Sequence, residues 1–398
     1  MAADKPVKYK KLLGDAKAAI KNQKNQDNAE KNLLAVINRE DITQEQRAEI
    51  YFVSQELERS LNDAENMKMY LKQAYDTVKF FSTILKMHEY LLACDSVETV
   101  PNVKGEVKYK YRSRSREVLK SYRSYVLSGG VFLLKRNKYA ESYPYFDMYL
   151  KSAKTPFFDN YPAIQNEDKL PRVAYWATVS AYNANQPYNV LKHIDEAIAG
   201  ANDSLRSSLQ EYKVRCYEVQ QDTANWMNEL LKGNQLYPEN DYFYLHLMDV
   251  YIQEKQFDKG IALCDTMLQR VGNRAVYWYG KSQMHLEKNE FDSVINAANE
   301  ALHADTTLTE AYYNRGIAYL NKAIIYGETV CNDVRNPKCK RERETLMDLY
   351  RGALLSLEIV RRRLPEDSKR WASPLYRIYL NLNMGTEFAE MEKILNAQ

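Results

Sequence analysis

The stretch TEAYYNRGIAY, residues 309–319, sets a large aromatic residue and a small residue four positions apart, on one face of a helix. The small residue, Gly316, has no side chain that would keep a packed helix at a distance. A large aromatic residue recurs every 34 residues, at Tyr244, Trp278 and Tyr312. This period is typical of helix hairpins that stack because none of them can bury its apolar face alone. The sequence therefore predicts an all-α array of stacked helix hairpins.

The helix expected before this stretch fits the same frame. Over residues 291–303 it carries Val294, Ala298 and Ala301 at positions that require small side chains. Together with the aromatic period, these residues resemble the tetratricopeptide repeat family, most completely over residues 205–325. The resemblance implies a right-handed α-solenoid whose first helices line a concave groove, and a binding role without catalysis. Much of the chain is also similar to uncharacterised tetratricopeptide proteins of bacterial cell envelopes. The alternative is a generic helical bundle whose period matches by chance.

The chain is expected to contain five segments. They are degenerate helical repeats at 1–95, a basic loop and helix insertion at 96–124, the repeat array at 125–325, an insertion with two cysteines at 326–343, and a C-terminal repeat with capping helices at 344–398. Within the first segment, Leu33 with Val36 and Leu71 with Ala74 indicate the second-helix faces of two further units.

Composition and charge exclude several classes of protein. Hydrophobic residues make up 45% of the chain, which is enough for a continuous core and excludes a disordered protein. The 56 basic and 53 acidic residues nearly balance, so we expect no nucleic-acid partner. No apolar stretch approaches the roughly 20 residues that a membrane-spanning helix needs, so we expect no transmembrane segment.

The chain starts with a polar segment, since Met1 is followed by Ala2, Ala3 and Asp4. A secretory signal peptide needs an apolar core, which this segment lacks. Two interpretations remain open. The protein is cytoplasmic as written, or it is the mature form of an exported protein with an added start methionine. The second interpretation predicts a periplasmic or cell-envelope location.

The five cysteines give information about the redox state of the cellular compartment in which the protein resides. Cys264 lies at a second-helix packing position, which predicts a small buried side chain. Cys331 and Cys339 lie in the predicted insertion, eight residues apart, where a turn would bring them within disulfide distance. A disulfide would indicate an oxidising compartment, and the alternative is a pair of free thiols. The odd total leaves at least one thiol unpaired.

No catalytic residue, cofactor or metal site is predicted. The sequence GKS at 280–282 resembles the end of a phosphate-binding loop, but the loop would need a glycine where Ala275 stands. His193 lies near Asp195 and Glu196, a group that also fits the polar face of a second helix. The histidines do not follow the spacing of a helix-borne zinc site.

A basic segment spans residues 104–123 and interleaves lysine and arginine with tyrosine. The residues selected as a candidate basic patch are Lys108, Lys110, Arg112, Arg114 and Arg116. Such a pattern can hold phosphate backbones, acidic lipid headgroups or an acidic protein surface. The alternative is a solvated face of a helix that follows a loop.

The candidate partner-binding residues follow from the family resemblance, in which positions after the opening aromatic residue point into the groove. They are Trp176, Leu245, Asp249, Tyr279, Gln283, Tyr313, Ile317 and Leu320. The predicted surface is apolar and aromatic, which favours an unidentified protein or peptide partner with apolar anchors. Some family members bind acidic C-terminal tails through a clamp of lysine and asparagine residues. In this sequence Asn314 alone resembles a residue of that clamp. The alternative is that these rings pack within the superhelix.

Overall fold

The computed structural model describes residues 8–102, 104–331, 333 and 335–397. Across these residues the regular elements are nineteen α-helices and one 3-10 turn, without a β-strand, which confirms the predicted all-α class. The polar start at residues 2–6 lies outside the described residues. The chain divides into two compact units, with the boundary between Trp226 and Met227. We describe each unit by itself.

Unit 1 contains ten complete helices within its described residues. They are α1 (Tyr9–Asn22), α2 (Gln26–Leu34), α3 (Gln44–Tyr70), α4 (Thr77–Glu98), α5 (Arg112–Leu134), α6 (Tyr139–Ala153), α7 (Pro162–Gln165), α8 (Leu170–Asn183), α9 (Pro187–Gly200) and α10 (Asp203–Val219). Consecutive helices pack as hairpins, such as α3 with α4 and α8 with α9. One apolar cluster, around Phe146 and Val173, contains side chains from the successive helices between α4 and α10. Another, around Leu33 and Ile50, contains side chains from α1, α2 and α3.

Unit 2 contains eight complete helices within its described residues, after α11 (Thr223–Leu236), which includes the boundary. They are α12 (Asp241–Gln253), α13 (Phe257–Arg270), α14 (Ala275–Glu287), α15 (Phe291–Ala304), α16 (Thr309–Gly327), α17 (Pro337–Arg363), α18 (Ser368–Asn381) and α19 (Gly385–Asn396). The helices α12, α14 and α16 begin 34 residues apart, at Asp241, Ala275 and Thr309, which confirms the predicted repeat of helix hairpins.

Eight helix ends within the described residues reverse the chain in the same way. After each helix one non-glycine residue has a left-handed φ of 51–59°: Gln23, Lys72, Asn137, Asn185, Gln221, Lys255, Asn289 and Asn383. The next N–H then donates to the carbonyl five residues earlier, as from Gln186 to Ala181 at 2.9 Å. This bond satisfies a carbonyl that the end of a helix leaves without a partner. Gln221, Lys255 and Asn289 stand 34 residues apart, so these turns also follow the repeat.

The small residues of the repeat frame lie in the core. Val294, Ala298 and Ala301 on α15 are fully buried, as their positions predict. At Gly316 a Cβ atom would lie 2.7 Å from Leu357 Cγ on α17, which confirms the predicted close approach of the second helix.

The large residues follow the frame less strictly. Tyr244 is buried, but the fully buried ring of α14 is Tyr277, and Trp278 is half-buried beside it. The Tyr244 and Tyr277 rings meet edge to face, with centroids 4.9 Å apart.

The interpretation of Leu71 and Ala74 as a second-helix face is wrong. Both residues are exposed in the turn between α3 and α4, where the chain reverses at Lys72. Leu33 on α2 and Val36, in the turn that follows α2, are both buried.

The predicted insertion at 326–343 is accommodated largely by longer helices. The helices α16 and α17 contain 19 and 27 residues, against 14 in α15, and α17 begins inside the predicted insertion. Cys331, just before α17, forms a disulfide with Cys339 on its first turns, with Cα atoms 5.2 Å apart. Cys94, Cys216 and Cys264 are free and buried.

Candidate binding surface

Six of the predicted partner-binding residues occupy equivalent positions on three successive first helices of unit 2. We call them the first-helix row: Leu245 and Asp249 on α12, Tyr279 and Gln283 on α14, and Tyr313 and Ile317 on α16. Leu245 and Asp249 are exposed, and the other four side chains are half-buried. The row therefore combines accessible and partly packed side chains.

Leu320 does not belong to this surface. It is 4% exposed and packs in the core cluster that contains Tyr350 and Leu357 of α17. Because α17 is long, it covers this part of α16 and encloses Leu320. The prediction of Leu320 as a partner contact is therefore wrong for this folded state.

Tyr279 and Tyr313 share a neighbour that the sequence did not indicate. The guanidinium carbon of Arg370 on α18 lies 4.5 Å from the centre of the Tyr313 ring. Burial raises the pKa of the Tyr279 hydroxyl, Glu310 raises it further, and the charge of Arg370 opposes both effects. Arg370 thus lies over the ring of one of these tyrosines and acts on the other through its charge. We call Tyr279, Tyr313 and Arg370 the tyrosine–arginine site.

Asn314, the residue that matches a clamp asparagine, has a packing role. Its side-chain amide donates to Ser282 Oγ at 3.0 Å, and both side chains are buried. The bond joins α14 to α16, so the amide is not presented to a ligand.

Trp176 lies in unit 1, on α8, and is half-buried. Its ring centre is 5.8 Å from that of Phe146, and the guanidinium of Arg172 lies 5.4 Å from the tryptophan ring. These contacts give Trp176 a local packing role within unit 1.

The basic segment is fixed to unit 1 by its arginines. Arg112 forms two hydrogen bonds with the Asp95 carboxylate, at 2.6 and 2.8 Å. Arg116 donates to the Phe157 carbonyl at 2.8 Å, and Arg114 lies 5.1 Å from the centre of the Phe52 ring.

The two lysines of the candidate patch are exposed, as is Arg114. Lys108 pairs with Glu106 at 2.8 Å, and Lys110 lies 4.9 Å from the Tyr111 ring centre. Arg112 and Arg116 are thus engaged within unit 1, and α5 follows a loop as predicted.

The residues that resembled a phosphate-binding loop lie inside α14. A Cβ atom at Gly280 would overlap the Tyr244 hydroxyl, and the Lys281 ammonium pairs with Asp265 at 2.6 Å. The His193 imidazole contacts Asp147 at 2.7 Å, which links α9 to α6. The Lys192 ammonium also contacts this carboxylate, and these partners lower the pKa of Asp147 to about 2 despite its burial.

The described residues hold no group of three or more histidine, cysteine or carboxylate side chains placed to bind a metal ion. In the part of the chain that the structure describes, no helix combines the length and the apolar run that crossing a bilayer requires.

No protein-family model and no curated protein sequence matches the chain. Among solved structures, the C-terminal part of a TPR repeat-containing protein from Cytophaga hutchinsonii is 13% identical, with a TM-score of 0.36, and the alignment covers 66% of this chain and 97% of that one. The human IFIT1 dimer with m7Gppp-AAAA is 14% identical, with a TM-score of 0.36 and coverages of 99% and 69%. Yeast Tom70 is 12% identical, with a TM-score of 0.27 and coverages of 98% and 95%. The description of the fold therefore rests on the hairpin spacing and packing given above.

Proposed function

We propose that this tetratricopeptide-like hairpin array is a scaffold that binds a partner polypeptide through the first-helix row of unit 2, without catalysis of its own. The observation that carries the proposal is the tyrosine–arginine site. There, Arg370 of α18 lies over the ring of Tyr313, and its charge acts on Tyr279, the equivalent tyrosine of the preceding repeat. Tyrosine and arginine are the residue types most enriched at protein-binding surfaces and at their energetic centres.

The chemistry of the row defines the kind of partner. Half-buried rings bind best to apolar or aromatic side chains that can exclude water from them. Exposed Leu245 adds an apolar contact at one end of the row, and Asp249 adds a charge. Since equivalent positions recur along neighbouring helices, the row suits an extended or helical segment with several apolar anchors.

Replacing both rings of the site should remove this binding. We expect Tyr279→Ala with Tyr313→Ala to weaken the affinity for the partner by about 30-fold or more, since two central aromatic contacts carry roughly 2 kcal/mol or more. The partner is first captured on the immobilised chain from the native source, at low and high salt. It is then purified and titrated against both forms of the protein.

Tyr188→Ala is the matched control, because this tyrosine is 77% exposed and lies outside the row. It should leave the affinity unchanged. Loss of the far-UV helical signal in the double variant would mean that the two rings are core residues, and the row would then not be a binding surface.

The salt comparison separates this function from binding of an anionic polymer or membrane through residues 104–123. Contacts to phosphate weaken steeply with ionic strength, whereas apolar contacts do not. The Asp95 carboxylate that holds Arg112 and the Phe157 carbonyl that holds Arg116 make the basic segment the weaker candidate.

We further propose an oxidising compartment such as the periplasm, which the Cys331–Cys339 disulfide supports. Protein isolated from its native source, unfolded without reductant and alkylated, should gain three labels by intact mass, at Cys94, Cys216 and Cys264. Prior reduction should raise the number to five. Five labels without reduction would favour the cytoplasm, where such thiols stay reduced.

A further inference from the structure

The turn between α3 and α4 carries a concentration of exposed apolar side chains. Of the eighteen large apolar residues that are exposed among the described ones, six lie between positions 67 and 78. They are Met67, Met69, Tyr70, Leu71, Tyr75 and Val78. We call residues 66–79 the hairpin tip. Isolated exposed apolar residues are ordinary, but a group on one short segment marks a surface that binds something.

The exposure belongs to the folded hairpin. The Gln73 N–H donates to the Lys68 carbonyl at 2.9 Å, which closes the end of α3. The Asp76 N–H donates to the buried Glu65 carboxylate at 2.9 Å, and the Asp76 side chain caps the start of α4. Because these bonds fix the reversal of the chain, the apolar side chains are held outward by the fold.

The hairpin tip has more lysine than carboxylate side chains. The hairpin tip contains Lys68, Lys72 and Lys79 against a single acidic residue, Asp76, whose carboxylate accepts the N–H of Lys79. The Lys68 ammonium lies 2.8 Å from Glu65, just outside the tip, and Lys72 is exposed in the turn itself. An apolar segment with an excess of lysine, one of them exposed at its centre, is complementary to a bilayer with anionic headgroups.

We propose that the hairpin tip is a membrane-surface contact that inserts Tyr70, Leu71 and the neighbouring apolar side chains into the headgroup region of an anionic bilayer. Tyrosine favours this depth, because its ring can lie among the upper acyl chains while its hydroxyl stays hydrated. Methionine, leucine and valine gain by leaving water, and lysine ammonium groups can extend back to the headgroups. The contact is separate from the first-helix row and does not depend on it.

The size of the hairpin tip favours a bilayer over a protein as its occupant. A stable protein interface takes about 20–30 residues from each partner. The tip offers a single turn of chain with the helix ends beside it. Shallow insertion into a bilayer needs only a few apolar side chains and some basic groups, which the tip provides.

Vesicle co-sedimentation of the full chain tests the proposal. The vesicles are phosphatidylcholine alone, or phosphatidylcholine mixed with phosphatidylglycerol. We expect the protein to sediment with the mixed vesicles. Its affinity for pure phosphatidylcholine should be lower by about tenfold or more. Tyr70→Ser with Leu71→Ser should reduce binding to the mixed vesicles about tenfold or more. Lys72→Gln with Lys79→Gln should remove most of the preference for the anionic lipid.

Tyr188→Ser with Val219→Ser is the matched control. It removes a tyrosine and an aliphatic side chain that are 77% and 64% exposed, against 83% and 55% for Tyr70 and Leu71. This control should bind as the wild type does. Absence of wild-type binding to either vesicle would overturn the proposal, as would equal losses in the tip and control variants. So would a wild-type dimer that Tyr70→Ser with Leu71→Ser converts to a monomer without any vesicle binding, since a second copy would then be the occupant.

Discussion

Gly316→Leu should lower the free energy of unfolding by about 3 kcal/mol or more, among the largest effects expected for a single residue of unit 2. A Cβ atom alone would lie 2.7 Å from Leu357 Cγ and 3.2 Å from Ser356 Cβ, so a leucine would force α16 and α17 apart. For a unit of this size the thermal midpoint should fall by roughly 6–12 °C. Thermal unfolding followed by far-UV circular dichroism measures the change.

Gly327→Ala on the same helix is the control, because a Cβ atom there would meet Leu346 at an ordinary 3.7 Å. This variant should keep the wild-type midpoint or raise it slightly, since alanine favours a helix. An unchanged midpoint for Gly316→Leu would contradict the packing of α16 against α17 and, with it, the repeat register.

Arg123→Met should destabilise unit 1 by about 3–5 kcal/mol, as expected when one partner of a buried ionic network is removed. The arginine is 5% exposed, donates to the Tyr149 carbonyl at 2.7 Å and lies 3.3 Å from the Glu167 carboxylate. It also donates to the Ser152 hydroxyl. Methionine preserves much of the apolar stem but leaves these acceptors without their donor. Urea unfolding followed by far-UV circular dichroism measures the loss.

Arg136→Met, an exposed change in the turn that follows the same helix, should have little effect. Glu167→Gln, introduced into the Arg123→Met protein, should recover part of the stability, because it removes the negative charge that has lost its guanidinium partner. Equal stability of Arg123→Met and the wild type would show that the guanidinium is not buried in the folded protein.

The repeat was predictable because packing requires it at fixed intervals. Gly316 and the alanines of α15 are small since another helix lies against each of them, and this demand is visible in the sequence. Arg370 was not predictable. The 27 residues of α17 separate it from the regular frame, so no spacing linked it to Tyr279 or Tyr313.

The prediction for Leu71 failed for a local reason. Leu71 fitted a helical period, but the chain reverses next to it at Lys72, and lysine is not a residue that signals a left-handed turn. Within the basic segment, the charges are visible in the sequence but their partners are not. It could not distinguish Arg123, which is buried, from Lys108, which is exposed.

The eight similar helix ends have a consequence for how such a chain can evolve. Each reversal depends on a backbone hydrogen bond and one left-handed residue, and asparagine, glutamine and lysine all occupy that position. The reversal of the chain thus depends on main-chain hydrogen bonds, and it is nearly independent of which side chain occupies the left-handed position. Substitutions among these residues at the helix ends should therefore leave the hairpins intact.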